Sequence, residues 1–350
     1  MADGMISIYQ PQMMIQALER VAVPKRFFHQ TFFRTTRTHV TNDVKFDVRV
    51  KKRRIATFTN PVQDATMVER EGFITKVTAP AYIKEGTALR PQEVLTRGFG
   101  ENPFSATSPA QRAAQMLGED LAMLDERIVR LEELLCSKAI LTGKVEAKGK
   151  GIDVKVDFGY VAGEHLIDLT GGSTWDNEDA DPMRDLDEWR RKIVQRCGIA
   201  PNMCVVGNRA GWAIIDNKKV KECLNIINYQ MGRVAPMNQA PAGTSYYGDL
   251  MLPSGVVSLY CYDEWYTDPT TGEDIPLVPD NVVLLGSTEA RCEFHYGLIQ
   301  NLKSLQPASR FALSWETDNG SARFLQLESA PMPNLFEPDA FLVATVLDPV

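Results

Sequence analysis

The chain has 350 residues and a formal net charge of −7 at pH 7, with hydrophobic residues at 44% and charged residues at 24%. This composition is typical of an ordered, soluble protein, and no run approaches the roughly eighteen consecutive apolar residues of a membrane-spanning helix. The N-terminus lacks the basic leader and apolar core of a secretion signal, so we expect a cytoplasmic protein. A chain of this length exceeds the usual size of a single core, which predicts two domains or one core with a large excursion.

The charge is unevenly distributed along the chain. Residues 1–60 contain eleven Lys and Arg against four Asp and Glu, a balance of +7, and the remainder carries −14. Such asymmetry suggests a basic arm that faces an anionic partner. The candidate for this inner basic segment is the run Lys51, Lys52, Arg53 and Arg54, for which a solvated strand face is the alternative.

The first forty residues predict a short helix followed by an irregular segment whose aromatic pairs, Phe27-Phe28 and Phe32-Phe33, need a surface to bury against. From Phe46 the apolar and polar residues alternate as in a half-buried strand. Two short β-prone runs around Gly72, within residues 67–88, then predict a projecting two-stranded loop. Because an isolated hairpin is only marginally stable, we expect another domain or subunit to support it.

The clearest local signal is a long helix over residues 109–141. Ser108 and Gln111 form a capping box with proline at the first helical position, and Gly143 supplies a stop. An apolar stripe recurs at steps of three and four residues: Leu117, Leu121, Leu124, Ile128, Leu131 and Leu135. The stripe is short for a coiled coil and lacks tidy charged pairs at its edges, which favours a spine helix packed on a sheet.

The following region alternates helix and strand. Residues 152–158 predict one arm of a hairpin, and Asp181 caps a predicted helix that runs from Pro182 to about Cys197. Further elements are predicted as a strand at 203–207, a helix at 209–217, and strands near 256–262, 275–278 and 281–286. Residues 175–290 therefore resemble a compact α/β module.

The acid-rich stretch 263–274 raises the possibility of a metal site. A calcium loop starting at Asp268 would need oxygen ligands at Thr270 and at Gly272, so the ligand pattern fails and a hairpin turn explains the residues better. Cys292 and His295 have the spacing of two zinc ligands but no second pair nearby. No phosphate-binding, nucleophile-elbow or metalloprotease motif is present. The sequence thus predicts no catalytic, metal or cofactor site and no enzyme.

Six cysteines occur without a CxxC pair, and we expect buried thiols rather than disulfides. They are Cys136, Cys197, Cys204, Cys223, Cys261 and Cys292.

A series of short segments, in order along almost the whole chain, points to a known family. They include Glu119-Asp120-Leu121-Ala122, Leu141-Thr142-Gly143-Lys144, Val156-Asp157-Phe158-Gly159, Gly171-Gly172-Ser173-Thr174-Trp175, Tyr247-Gly248-Asp249, Leu277-Val278-Pro279-Asp280-Asn281, Tyr296-Gly297-Leu298-Ile299-Gln300 and Glu337-Pro338-Asp339-Ala340-Phe341. Together they resemble the lambda-type major capsid protein E family of tailed bacteriophages. The order and spacing of the segments carry the resemblance more than any one of them.

The resemblance implies an α+β fold of the Hong Kong 97-like capsid type. The implied division is an N-terminal arm at 1–45, a strand and extended loop at 46–104, a peripheral domain with the spine helix at 105–174, an axial domain at 175–290, and a return to the peripheral domain with a C-terminal strand at 291–350. It also implies a virion protein, assembled in the host cytoplasm.

The implied function is that of a structural head subunit, forming pentamers and hexamers of an icosahedral shell that expands as double-stranded DNA enters. The implied partners are other copies of the chain, a separate scaffolding protein, a decoration protein, the portal, and DNA through non-specific contacts. The candidate intersubunit contacts lie in the extended loop: Glu69, Arg70, Phe73, Lys76, Tyr82 and Lys84.

Two alternatives stay open at this point. One is a cytosolic metal-dependent enzyme that uses the 263–274 acids with His295. The other is a phage structural protein that assembles into rings or tubes.

Overall fold

A computed structural model describes residues 8–18, 26–41, 44–49, 56, 73–96, 108–149, 152–221, 243–304 and 307–348. Within these ranges the α-helices are α1 (Pro11–Leu18), α2 (Phe27–Thr31), α3 (Pro91–Leu95), α4 (Pro109–Thr142), α5 (Pro182–Cys197) and α6 (Asn208–Asp216). Single 3₁₀ turns lie at Gly171–Ser173 and Pro338–Ala340. None of the helices in the described ranges is long and apolar enough to cross a membrane.

The strands of the same ranges fall into several small sheets and one large sheet. In the first half of the chain they are β1 (Thr35–Thr38), β2 (Val44–Arg49), β3 (Phe73–Thr78), β4 (Ile83–Leu89), β5 (Lys144–Gly149), β6 (Ile152–Asp157) and β7 (Leu166–Asp168). In the second half they are β8 (Met203–Val206), β9 (Thr244–Leu252), β10 (Gly255–Tyr262), β11 (Trp265–Thr267), β12 (Asp274–Pro276), β13 (Val282–Gly286), β14 (Cys292–Tyr296), β15 (Phe311–Glu316), β16 (Arg323–Ser329), β17 (Pro331–Leu335) and β18 (Leu342–Thr345).

The large sheet has six strands in the order β7-β18-β13-β8-β10-β9. Both of its faces are covered, because successive side chains of a strand point to opposite faces. On β13, Leu284 belongs to one apolar core, whereas Val283 and Leu285 belong to a second. The last strand, β18, pairs with β13 in the middle of this sheet. The C-terminal residues therefore complete the α/β module rather than standing outside it.

Helix α4 forms because several local signals agree. The side chain of Ser108 accepts a hydrogen bond from the amide of Gln111, and the side-chain oxygen of Gln111 accepts one from the amide of Ser108. Gly143 ends the helix in the left-handed conformation. A Cβ on Gly143 would meet the ring of Tyr160, so this position also needs a glycine for space. The helix predicted at 109–141 is thus confirmed to within one residue.

The apolar stripe of α4 packs against sheets of its own chain. Its first half, from Leu117 to Ile128, forms a core with α1 and with Ala312, Leu325 and Leu327 of the β15-β16-β4 sheet. Its second half packs into the core that also holds the aromatic pairs of the N-terminal segment. These contacts confirm the spine-helix interpretation.

The loop region pairs differently from the sequence-based expectation. The two β-prone runs were expected to form a two-stranded loop with each other. Instead, β3 pairs with the earlier strand β2, whereas β4 pairs with β16 more than two hundred residues away. Strand β4 follows β3 after only four residues, yet each of them pairs with a strand more distant in the chain, a choice that local β-propensity does not specify.

The remaining predicted elements agree with the structure within a few residues. Helix α5 begins at Pro182, with the side chain of Asp181 accepting from the amide of Arg184. Strands β11 and β12 flank a turn in which the amide of Gly272 donates to the carbonyl of Asp268 at 2.8 Å. The acid-rich stretch is therefore a hairpin, as its turn residues indicated.

Candidate assembly surface and carboxylate junction

Three acidic side chains of the 263–274 hairpin accept hydrogen bonds from nearby residues of the same hairpin. Asp263 accepts from the indole nitrogen of Trp265 at 2.8 Å, and Asp274 accepts from the hydroxyl of Thr267 at 2.6 Å. The carboxylate of Asp268 accepts from the backbone amide of Thr270, which holds the pKa of Asp268 below its usual value. Such bonds stabilise a turn and leave these oxygens poorly placed for a cation.

Cys292 and His295 do not face each other. They are three residues apart on β14, so their side chains lie on opposite faces of the strand. Cys292 is buried in an apolar core, and burial raises the pKa of its thiol. In the described ranges no three His, Cys, Asp or Glu side chains form a group able to hold a metal. The five cysteines in those ranges have free thiols, and Cys223 lies outside them.

A cluster of acids on α4, which we call the carboxylate junction, was missed by the sequence reasoning. It consists of Asp125, Glu132 and Glu133. Glu132 is 0% exposed and accepts from Arg26 at 2.6 Å, Arg310 at 2.7 Å and the hydroxyl of Tyr296 at 2.8 Å. Two cations and a phenol thereby compensate a carboxylate that would otherwise be costly to bury.

Glu133, the next residue, points towards the N-terminal segment. One carboxylate oxygen accepts from the amide of Phe28 at 2.6 Å and the other from the amide of His29 at 3.1 Å. The hydroxyl of Tyr262, the last residue of β10, donates to it at 3.2 Å. Burial raises the pKa of Glu133, and the two amides oppose that shift. Glu133 thus caps the N-terminus of α2 from another helix. The side chain of Arg26, the residue before α2, makes no capping hydrogen bond.

Asp125 extends the junction two turns towards the N-terminus of α4. The Nε of Arg310 donates to Asp125 at 2.7 Å, while its Nη1 reaches the hydroxyl of Ser329 at 3.1 Å. One guanidinium therefore joins the spine helix to strand β16. The junction ties together the N-terminal segment, α4 and the sheets on both sides of it.

The predicted intersubunit contacts are only partly described by the structure. Glu69, Arg70 and the basic segment Lys51–Arg54 lie outside the described residues. Phe73 and Lys76 lie on β3, where their backbones pair with Arg49 and Phe46 of β2.

Tyr82 immediately precedes β4, and Lys84 is the second residue of that strand. The hydroxyl of Tyr82 donates to the buried carboxylate of Glu328 on β16. Burial raises the pKa of the phenol, and the hydrogen bond to Glu328 raises it further. Lys84 is exposed, with its ammonium 5.3 Å from the centre of the Tyr82 ring. Tyr82 is thus anchored within its own chain, whereas Lys84 is available to a partner.

Lys84 belongs to one face of the β15-β16-β4 sheet, which we call the outer face. The register places Glu328 opposite Lys84, and Trp315 opposite Phe324, on the side away from the core formed with α4. Trp315 and Phe324 stack with ring centres 5.4 Å apart, and Trp315 remains 40% exposed. A stacked aromatic pair that remains partly exposed is the kind of surface that protein interfaces cover.

The comparison with known proteins decides the family. The sequence profile described as phage major capsid protein E matches residues 11–346. The chain belongs to this family of capsid proteins. It is a structural subunit of a phage head, and the fold is the Hong Kong 97-like α+β fold that the family resemblance implied. The predicted absence of enzymatic function is confirmed in so far as the relatives of this capsid protein are structural.

Relatives and solved structures support the same conclusion. The major capsid protein of Enterobacteria phage P21 is 28% identical over 92% of this chain and 94% of its own. The major capsid protein of Escherichia phage lambda is 26% identical over 96% of this chain and 98% of its own. The crystal structure of a putative prophage capsid protein from E. coli CFT073 superposes with a TM-score of 0.73 at 19% identity, covering 96% of this capsid protein and 99% of that chain.

Proposed function

We propose that copies of this capsid protein assemble as pentamers and hexamers into an icosahedral shell around double-stranded DNA. The observation that carries the proposal is the ribbon of β2 and β3, which forms a separate two-stranded sheet. Two strands of six residues are marginally stable on their own, so a neighbouring subunit is the natural source of their support.

The domain division implied by the family resemblance belongs to the same proposal. Residues 1–45 act as an arm, 46–104 as the strand and extended loop, 105–174 as the peripheral domain, 175–290 as the axial domain, and 291–350 as the return to the peripheral domain with a C-terminal strand. The large sheet supports an axial module of helices and strands, to which β18 contributes from the C-terminal residues.

The outer face supports a contact between subunits beside the ribbon. It is continuous with β4, where the extended loop returns, and Lys84 adds a charged group on the same face, four residues along β4 from Ala88, which pairs with Phe324. The candidate contacts Glu69, Arg70, Phe73, Lys76, Tyr82 and Lys84 belong to the same proposal. Tyr82 contributes through its hydrogen bond to Glu328, which fixes the segment just before β4 against β16.

The remaining partners are proposed on the basis of family and charge. A net charge of −7 disfavours tight binding of DNA over the whole shell, so the basic run Lys51–Arg54 is the candidate for weak, non-specific contact. A scaffolding protein, a decoration protein and the portal complete the proposed set, and shell expansion on packaging is the proposed conformational step.

Assembly of a Trp315→Asp variant tests the role of the outer face. We expect this variant to remain a folded subunit but to form no closed shells by negative-stain microscopy, because a charge would be buried unpaired at the contact. Trp315→Phe, which keeps an aromatic ring, serves as the matched control and is expected to assemble. Shells formed by Trp315→Asp as readily as by the control would contradict the contact. Rings, tubes or small oligomers of the unaltered chain would contradict the shell itself.

A further inference from the structure

A histidine pair links the N-terminal segment to the sheet of β14 and β17. The Nε2 of His39 lies 3.1 Å from the Nδ1 of His295, although the two residues are 256 positions apart. Strand β1 runs parallel to β14 next to this contact, and all four of its side chains are exposed. Little apolar burial therefore holds β1 in place, and its polar contacts carry more of its attachment.

The hydrogen bonds assign the protons of the pair. The Nε2 of His295 lies 3.2 Å from a carboxylate oxygen of Glu293, which can only accept, so this nitrogen carries a hydrogen. The Nδ1 of His295 must then accept from the Nε2–H of His39 when both rings are neutral. A first proton can be added at the Nδ1 of His39 without breaking the bond. A second proton, on the Nδ1 of His295, places two N–H groups face to face.

The charged groups around the pair oppose the second proton. Arg37 lies 2.7 Å from Glu293, and Arg291 lies 3.0 Å from the same carboxylate. On the other side of β14, β17 places the uncharged Met332 opposite His295 and Asn334 opposite Glu293. If both histidines were protonated, four cations would surround the single carboxylate of Glu293: the two histidines, Arg37 and Arg291. Burial lowers the pKa of His39, and the positive charge of Arg37 lowers it further. Burial also lowers the pKa of His295, and repulsion from His39 acts in the same direction.

We propose that His39 and His295 form an acid-sensitive latch that holds β1 on β14 and opens when both rings are protonated. Opening would free the edge of β14 and release the segment that joins the arm to the ribbon of β2 and β3. The latch acts within one subunit, so it does not depend on the proposed shell. Its direct reporter is the amide of His39, which donates to the carbonyl of Tyr296 at 2.9 Å.

Hydrogen exchange of the unassembled full chain, measured by mass spectrometry on peptides that cover residues 35–40, tests the latch. His39→Gln is the key variant, because its amide can donate to a neutral His295 and accept from a protonated one. Comparing variants at the same pH cancels most of the intrinsic pH dependence of exchange. At pH near 4.5 we expect the unaltered chain to exchange about tenfold faster than His39→Gln, and at pH near 7.5 we expect equal rates.

His39→Ala serves as the second variant, because it removes the side-chain bond without adding a charge. It is expected to exchange faster than His39→Gln already at neutral pH. Equal exchange of the unaltered chain and His39→Gln at the acidic pH would overturn the latch, as would slow exchange of His39→Ala at neutral pH. Peptides from α5 provide the internal reference, since their simultaneous loss of protection would mean global unfolding instead of a local opening.

Discussion

Glu133 of the long helix α4 lies 2.6 Å from the amide nitrogen of Phe28, so a carboxylate of the spine helix caps a helix of the N-terminal segment. Replacing Glu133 with Gln should lower the free energy of unfolding by about 1–3 kcal/mol, because one of the two buried amides loses its acceptor. Urea denaturation measures the change. Glu126→Gln, on the same helix, is the matched control: its exposed pair with Arg130 predicts a loss of less than about 1 kcal/mol. Equal losses for the two variants would contradict the capping role.

Arg310→Met should be more damaging than the Glu133 substitution. The guanidinium serves both Asp125 and Glu132, and removing it leaves buried carboxylates with too little positive charge, at a cost of about 3–5 kcal/mol. Arg130→Met is the control on the exposed side of α4. The midpoint of urea unfolding reports both variants. A loss below about 1 kcal/mol for Arg310→Met would show that the junction contributes little.

Acid should destabilise the protein through His29. Burial, with added repulsion from Arg26 and Arg310, lowers the pKa of His29 from 6.5 to about 3. The unfolded chain therefore binds the proton more readily, and stability falls as pH drops below 6.5. Each pH unit between 6.5 and about 3 removes about 1.4 kcal/mol of unfolding free energy from this group.

His29→Phe separates this effect from other acid-sensitive groups. A phenyl ring can keep the contact with Phe294, whose ring centre lies 4.6 Å away, and the Nε2 of His29 has no hydrogen-bond partner among the described residues. Unfolding free energies measured at pH 7 and pH 5 should fall less in the variant. The same decrease in both proteins would assign the acid sensitivity to other residues.

Gly118 and Gly207 should respond in opposite ways to alanine. A Cβ on Gly118, in the exposed part of α4, meets no atom within 4 Å, so Gly118→Ala should stabilise by about 0.5–1 kcal/mol through its higher helix propensity. A Cβ on Gly207 would lie 2.2 Å from the carbonyl oxygen of Pro279, and we expect a loss of at least about 2 kcal/mol. Thermal melting of the two variants checks both signs. Destabilisation by Gly118→Ala would mean that this position needs glycine for another reason.

Metal ions should leave the stability of the folded subunit unchanged. Ligands that bind only the native state raise its stability by mass action, and the hairpin acids already bond within their own turn. Melting temperatures in EDTA, calcium and magnesium are expected to agree. A rise with calcium or magnesium that EDTA reverses would revive the metal-dependent alternative.

Local signals account for what the sequence predicted well. Ser108, Gln111 and Gly143 mark both ends of α4 because caps act within a few residues of the helix. Asp268 and Gly272 likewise define their turn from within it. These elements needed no knowledge of the rest of the chain.

Contacts between distant parts of the chain account for what the sequence did not predict. Glu132 and Glu133 stand out only as acids between leucines of an apolar stripe, and their partners lie more than a hundred residues away on both sides. The pairing of β4 with β16 has the same origin. Propensity describes whether a segment is extended, but it carries no information on which other strand completes the ladder.

The double-faced sheet of β8, β10, β13 and β18 has a mechanical consequence. Val205, Leu284 and Val343 fill one core while their immediate neighbours along the same strands fill the other. A displacement of any of these strands therefore disturbs the packing on both sides at once. Force applied to one of these strands is therefore shared by the two cores, so the sheet couples the layers that pack on its two faces.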